Sequence, residues 1–206
     1  MEIHAPEGDI KSWKAFGIHI ATVTVGILIA LILEGLLEWR HRRHLVELAE
    51  HNLRLEMMHT KEEVTRFLAS VKDTEVDYQA VVDLVSKIRD NQGEPHGYRF
   101  RAYSMQLSDA AWSTAQASGA VAYMEYPEIQ KYSDIYSTQA KLAILQDRFI
   151  EVALAATPDA DPRAWSVARF DSWKQLVAAA DIRVRAEEHV AVRLMEKLKT
   201  MGEEGQ

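Results

Sequence analysis

The longest run of apolar positions lies close to the start of the chain. Residues 15–33 are 19 consecutive positions without an aspartate, glutamate, lysine or arginine. A helix rises about 1.5 Å per residue, so this run matches the roughly 30 Å hydrocarbon core of a bilayer. Trp13 and Trp39 flank the run, at the depth where aromatic rings favour the headgroup zone. The pattern predicts one transmembrane helix over residues 13–39, preceded by a flexible tail over residues 1–12.

A cleaved secretory signal would be a different interpretation of the same run. Such a signal starts with basic residues and has a shorter apolar core, followed by a small-residue cleavage site. The first ten residues instead hold Glu2, Glu7 and Asp9, and they contain no lysine or arginine. We therefore expect the span to be retained as a signal anchor that holds the protein in a single pass.

After the span, apolar residues continue at the three-and-four spacing that places them on one helix face. No proline or glycine occurs between Gly35 and Gly93. The pattern predicts a stalk helix that extends the span, either as one rod or with an interruption near Lys72, and its length favours a coiled coil. The seam consists of Val46, Leu53, Met57, Val64, Phe67, Val71, Tyr78, Val81, Val85 and Ile88, with Glu50, Thr60 and Thr74 at its polar positions.

Groups of helix-breaking residues divide the rest of the chain. Residues 91–97 end the stalk helix, and the alternation over residues 98–103 fits either a short strand or a loop. Capping residues and prolines mark the starts of the next helices. These helices are predicted over residues 109–124, 127–156 and 162–201, with Ser108 and Asp161 as N-caps.

The last helix repeats the apolar seam, and Glu187 is its polar exception. Each apolar stripe must be covered by another helix. The sequence therefore predicts an all-α protein, in which a transmembrane helix continues into a stalk and then into an antiparallel bundle of about four helices. We place this bundle domain at residues 40–201 and a disordered tail at residues 202–206. The seam residues of the last helix are Phe170, Trp173, Val177, Ala180, Val184, Ala191, Leu194 and Leu198.

Composition narrows the classes of function. The formal net charge is −7 at pH 7, and the chain has no cysteine. An acidic chain lacks the basic face that binds phosphates, so we expect no nucleic-acid partner. The absence of cysteine excludes disulfides, thiolate nucleophiles and iron–sulfur clusters. Because the P-loop, dinucleotide and zinc-hydrolase motifs are also absent, we expect a protein that is not an enzyme and uses no cofactor.

Small residues form a stripe within the span. Thr22, Gly26, Ala30 and Glu34 recur every four residues and so share one helix face. A stripe of this kind lets two membrane helices approach closely, which makes it a candidate oligomerisation face. The alternative is that glycine and alanine are simply common in membrane spans.

Histidines cluster directly after the span. His44, Glu47 and His51 share a helix face, but the first and last lie about 10 Å apart along the axis. That distance is too long for one metal ion without ligands from another helix. We therefore expect a solvated face and no metal site.

Basic residues flank the span unequally. Lys11 and Lys14 precede it, whereas Arg40, Arg42 and Arg43 follow it. Under the positive-inside rule this small excess favours the soluble domain in the cytoplasm over the periplasm.

Two groups of residues carry a family resemblance. They are the span segment Val25-Gly26-Ile27-Leu28-Ile29-Ala30-Leu31, and the set formed by Ala111-Trp112-Ser113-Thr114-Ala115, Ser118-Gly119-Ala120, Met124, Tyr126, Tyr132 and Tyr136. In these residues the chain resembles an uncharacterised bacterial family with one N-terminal span and a C-terminal helical domain. The resemblance implies attachment to a bacterial inner membrane and a helical fold. It implies no activity and no catalytic residue.

Three aromatic residues form the candidate ligand site. Tyr132 and Tyr136 are an i, i+4 pair, and Trp112 lies on the preceding predicted helix. They could line an aromatic groove for a small ligand, or they could be core residues, which is the commoner role of aromatics at this spacing.

Two main hypotheses for function follow, and a weaker third is a metal-dependent enzyme that uses the histidines after the span. The first is a membrane-anchored interaction or scaffold protein that forms a homo-oligomer or binds a membrane-protein partner beside the lipid bilayer. The second is a membrane-tethered sensor that binds a small ligand in the aromatic groove. The sequence identifies neither the partner nor the ligand.

Overall fold

The computed structural model describes residues 13–92, 103–157 and 161–203. The protein is all-α, with four α-helices and two short 3-10 helices and no strand in the described ranges. The tail predicted over residues 1–12 and most of the alternating stretch 98–103 lie outside the described residues.

Helix α1, Trp13–Arg89, is 77 residues long. It continues through Lys72, so the stalk is one helix rather than two. It ends at Arg89, just before the predicted breaker stretch, and Asn91 has a left-handed φ of 56°. The Gln92 amide donates to the Lys87 carbonyl and the Asn91 amide to the Ile88 carbonyl, which is the Schellman pattern of helix termination.

The chain divides into two compact units, residues 1–47 and residues 48–206. In the first unit the described chain is the N-terminal part of α1, whose large apolar side chains are exposed. The stretch Phe16–Lys72 contains an 18-residue window with a mean hydropathy of 2.4, and none of this window is buried. By length and composition, this is one helix that could cross a membrane.

The second unit is a bundle of three long helices and one short one. The long helices are the C-terminal part of α1, α3 (Tyr126–Ala156) and α4 (Val167–Glu203), and the short one is α2 (Ala110–Ala117). The seams predicted on α1 and α4 form the core. Buried positions on these seams include Leu53, Val64, Val85, Ile88, Ala180, Ala191 and Leu194, all 0% exposed.

Cross-helix contacts fix the directions of the three long helices. Lys197 Nζ lies 2.7 Å from Asp134 Oδ2, and Trp173 Nε1 donates to the Ala156 carbonyl at 2.7 Å, so α3 and α4 are antiparallel. In contrast, α1 and α3 are parallel. Their contacts are Glu56 with Tyr136 near one end and Tyr78 with Phe149 further along both helices.

This parallel pair departs from the antiparallel arrangement expected throughout. A parallel pair needs a connection that returns along the bundle, and α2 begins beside Glu56 of α1, well before the end of α1 at Arg89. Residues 90–109 separate the two helices. A stretch of that length can reach roughly 60 Å when extended, which is enough for the return.

Local backbone geometry shifts two of the predicted helix boundaries. Gly119 has a φ of 76°, which ends α2 early and leaves a separate 3-10 helix, Ala120–Tyr123. At the next boundary, the Asp161 carboxylate accepts a hydrogen bond from the Arg163 amide, as its predicted capping role requires. The turn that it caps is a 3-10 helix, Pro162–Ala164, and α4 begins only at Val167.

Candidate functional site

The segment that returns from α1 to α2 is bound by side chains rather than by backbone partners. We call residues 103–109 the return segment. Gln146 on α3 binds both backbone groups of Met105: its Oε1 accepts from the Met105 amide at 2.8 Å and its Nε2 donates to the Met105 carbonyl at 3.2 Å. Met105 itself is only 3% exposed. Two helical turns earlier on α3, Gln139 Nε2 donates to the Ser108 carbonyl at 2.6 Å.

Glu63 on α1 holds the opposite side of the return segment. Its Oε2 accepts hydrogen bonds from the Gln106 amide at 2.9 Å and from the Tyr103 hydroxyl at 3.0 Å, and Arg66 pairs with its other oxygen. The bond from the Gln106 amide lowers the pKa of Glu63, and Tyr103 and Arg66 add to this shift while burial opposes it. Glu63 is therefore a buried carboxylate that stays ionised.

A second carboxylate on α1, Glu56, binds the start of α2. Its oxygens accept from the Tyr136 hydroxyl at 2.6 Å, from the Ser108 hydroxyl at 2.8 Å and from the Ala111 amide at 3.1 Å. Ser108 also accepts from the Ala110 amide, at 3.2 Å. The helix nevertheless begins at Ala110 with Asp109 at its N-cap and no side-chain capping bond from that residue, so Ser108, which the sequence predicts as the cap, lies one position before it. Glu56 satisfies the Ala111 amide from another helix. The side chains of these glutamates and glutamines therefore form hydrogen bonds within their own chain.

The three residues of the candidate ligand site are brought together. The ring of Trp112 stacks on that of Tyr136 at 5.5 Å between centroids and lies 6.4 Å from that of Tyr132. Tyr132 and Tyr136 are 3% and 6% exposed. Burial raises the pKa of Tyr136, and its hydrogen bond to Glu56 adds to the shift. This packing favours the core interpretation, and ligand binding stays a prediction.

The predicted oligomerisation face of the span is exposed within the first unit. Thr22, Gly26, Ala30 and Glu34 all lie on the surface of α1. The Thr22 hydroxyl donates to the Ile18 carbonyl of its own helix at 2.9 Å, so it needs no other polar partner. A Cβ added at Gly26 would meet nothing within 4 Å. The face is thus open to close approach, and its role in association stays a prediction.

A second exposed stripe, which was not predicted from the sequence, occurs on α1 inside the second unit. Leu48, His51, Leu55 and Met58 follow the three-and-four spacing, and the three apolar members are 51%, 51% and 61% exposed. The opposite face of the same helix carries Leu53 and other core residues. Helix α1 therefore has two apolar faces at this height. The three-and-four spacing of this stripe is visible in the sequence, but the core seam on the same helix follows the same spacing, so the stripe does not stand out as a second face.

Glu187 lies in the core of the second unit. It is 0% exposed, and neither of its carboxyl oxygens has a hydrogen-bond partner. Burial raises the pKa of Glu187 to about 8. Burial is the largest cause that raises the pKa of Tyr78 on α1, and the negative charge of Glu187 raises it further. Glu187 is the polar exception that the seam pattern predicts, here buried without compensation.

The basic residues after the span are partly neutralised by their own helix. Arg43 Nε lies 3.0 Å from Glu47 Oε1, and Arg42 pairs with Glu38. The guanidinium of Arg43 also lies over the Trp39 ring, 5.6 Å from its centroid. Among the side chains that the structure describes, no three histidine, aspartate or glutamate residues are grouped so that they could hold a metal ion.

Comparison with known proteins adds no relative. Family models, curated proteins and solved structures give no match to this chain.

Proposed function

We propose that this protein is a membrane-anchored helical scaffold that associates with a second copy of itself through α1. Two features support the proposal. The first is the apolar window of α1, which is long enough to span a bilayer and wholly exposed. The second is the exposed stripe Leu48, His51, Leu55 and Met58, which lies on the face of α1 opposite the bundle core.

The exposed stripe carries the self-association part of the proposal. Copies anchored by the same span in one membrane point in the same direction. A three-and-four stripe on two parallel helices places each residue against its own counterpart, as in a two-stranded coiled coil. Leu48 and Leu55 would then form apolar layers on either side of a His51 layer. A polar layer lowers the stability of such a pair but fixes its register.

The polar groups of the second unit support a structural role over a catalytic one. Glu56, Glu63 and Gln146 are all bonded to backbone or hydroxyl groups of the same chain. We therefore propose a non-enzymatic scaffold without a cofactor. The excess of arginine after the span places the soluble unit, in this proposal, on the cytoplasmic side of a bacterial inner membrane.

The test is the mass of the full chain in lipid nanodiscs or mild detergent. The wild-type protein is expected to run as a dimer or larger assembly, and Leu48→Ser combined with Leu55→Ser is expected to shift it towards the monomer. Ile182→Ser is the matched control, because Ile182 is an apolar residue on α4 that is 67% exposed. A wild-type monomer would overturn the proposal, as would a double variant that remains fully associated.

A further inference from the structure

The proposed scaffold makes no use of Glu187, although both carboxyl oxygens of this residue are buried without a hydrogen-bond partner. Its carboxyl group sits in the middle of α4, between the buried residues Val184 and Ala191. Its two oxygens have no hydrogen-bond partner and no contact with solvent. A carboxylate without a counter-ion or a donor is strongly disfavoured in such a site, whereas the neutral acid is tolerated at a lower cost.

The described buried side chains of α3 offer Glu187 no positive charge. The contacts of Lys197 with Asp134 and of Trp173 with Ala156 set the register of α3 and α4. In this register Glu187 lies at the height of residue 143 on α3. The buried α3 side chains around that height are Leu142, Gln146 and Phe149, and none of them titrates.

The described titratable groups that interact with Glu187 or lie beside its partner Tyr78 are acidic, and Arg183, one turn earlier on α4, donates to the Ala179 carbonyl instead. On α1 the group is Tyr78, which is buried, interacts electrostatically with Glu187 and packs edge-on against Phe149 of α3. On α4 itself, Asp181 adds negative charge near Tyr78. Lys72, the nearest described lysine on α1 by register, is exposed. No described group would therefore stabilise the ionised form.

We propose that Glu187 is a proton-controlled latch of the second unit. As the neutral acid it lets α4 pack against α1 and α3. When it loses its proton to solvent, the carboxylate can be hydrated only if α4 separates locally from Tyr78, so ionisation opens the bundle around residues 184–191.

The difference between the pKa of Glu187 in the closed state and in the open state gives the direction in which pH changes the opening equilibrium. The pKa of Glu187 is raised by burial from an ordinary 4.5 to about 8. The closed state therefore keeps a proton that the open state has already lost. The stabilisation of the closed state is complete below pH 4.5 and is lost as the pH rises towards 8, with the opening equilibrium rising about tenfold per pH unit between these limits.

The experiment measures opening directly. Amide hydrogen exchange across residues 184–191 is followed in the full chain in detergent between pH 5.5 and pH 8, corrected for the intrinsic exchange rate. The wild type is expected to show an opening equilibrium that rises about tenfold per pH unit, and Glu187→Gln is expected to abolish this slope. Glu196→Gln changes an exposed glutamate on the same helix and is expected to keep it.

Two results would overturn the latch. One is a wild-type slope that survives in Glu187→Gln. The other is infrared spectroscopy of the wild type at pH 6 that lacks the carbonyl band of a buried neutral carboxylic acid. The second measurement needs no variant, so the proposal stays testable even where Glu187→Gln fails to fold.

Discussion

Gln146 is the single side chain on which the return segment depends most. It is the hydrogen-bond partner of both the amide and the carbonyl of Met105. Gln146→Leu keeps the approximate volume but leaves both of these backbone groups buried without a partner. Each unsatisfied buried group costs about 1–3 kcal/mol, so the variant is expected to lose about 2–6 kcal/mol of unfolding free energy. For a domain of this size the melting temperature falls by about 2–4 °C per kcal/mol, which predicts a decrease of roughly 4–24 °C.

The assay is thermal unfolding of the full chain in detergent, followed by circular dichroism at 222 nm. Gln175→Leu is the control: the same substitution at an exposed position of α4 is expected to change the melting temperature by less than about 2 °C. Hydrogen exchange of residues 104–107 locates the effect, since they should lose protection in Gln146→Leu alone. A Gln146→Leu protein that melts like the wild type, with residues 104–107 still protected, would refute the assigned role of Gln146.

Four other variants test separate parts of the structure. The pKa of Glu63 is lowered, so its contribution to the free energy of unfolding is present above pH 4.5 and is lost as the pH falls. The Glu63→Gln variant should therefore show a weaker loss of stability at acid pH than the wild type. Trp173→Phe removes the indole bond to the Ala156 carbonyl and should cost about 1–2 kcal/mol in chemical denaturation. Gly119→Ala forces an L side chain to a φ of 76° and should cost about 1–2 kcal/mol, also by denaturation. His51→Leu replaces a polar layer of the proposed α1 pair and should tighten association measured by analytical ultracentrifugation. If any one of these variants gave the same result as the wild type, the role assigned to that residue would be wrong.

The helices and their buried faces follow from local pattern, which is why the sequence predicts them. The seam over α1 needs only three-and-four spacing and the absence of proline, and residues such as Leu53 and Ile88 are buried as expected. The same pattern on α4 predicts Trp173 and Leu194 as core residues. These positions depend on the helix period alone, and no knowledge of the partner helix is needed.

The direction of α3 relative to α1 could not be derived in the same way. It depends on Glu63 and Gln146, which bind the return segment from positions about 40 residues away along the chain. A glutamate on a helix that faces other helices is compatible with solvent exposure, with a buried bond or with a buried unpaired group. Glu63 and Glu187 show how different these outcomes are, since the pKa of the first is lowered and that of the second is raised.

The sequence predicts which residues form the candidate ligand site, but it does not predict whether they form a groove. The grouping of Trp112 with Tyr132 and Tyr136 follows from their spacing and is present in the structure. Whether aromatic rings enclose a groove or fill the core depends on how closely the helices approach, which no periodicity specifies. The role of Glu56 is invisible for a similar reason, because its partner Tyr136 lies 80 positions away.

The account depends above all on the anchoring of α1 in lipid. The direct measurement is the distribution of the intact polypeptide between membrane pellet and supernatant after alkaline carbonate extraction, with a variant carrying both Ile27→Arg and Leu31→Arg as the control. The account predicts that the wild type stays in the pellet until detergent is added, and that the double arginine variant is released. Intact wild-type protein in the high-speed supernatant without detergent would contradict it.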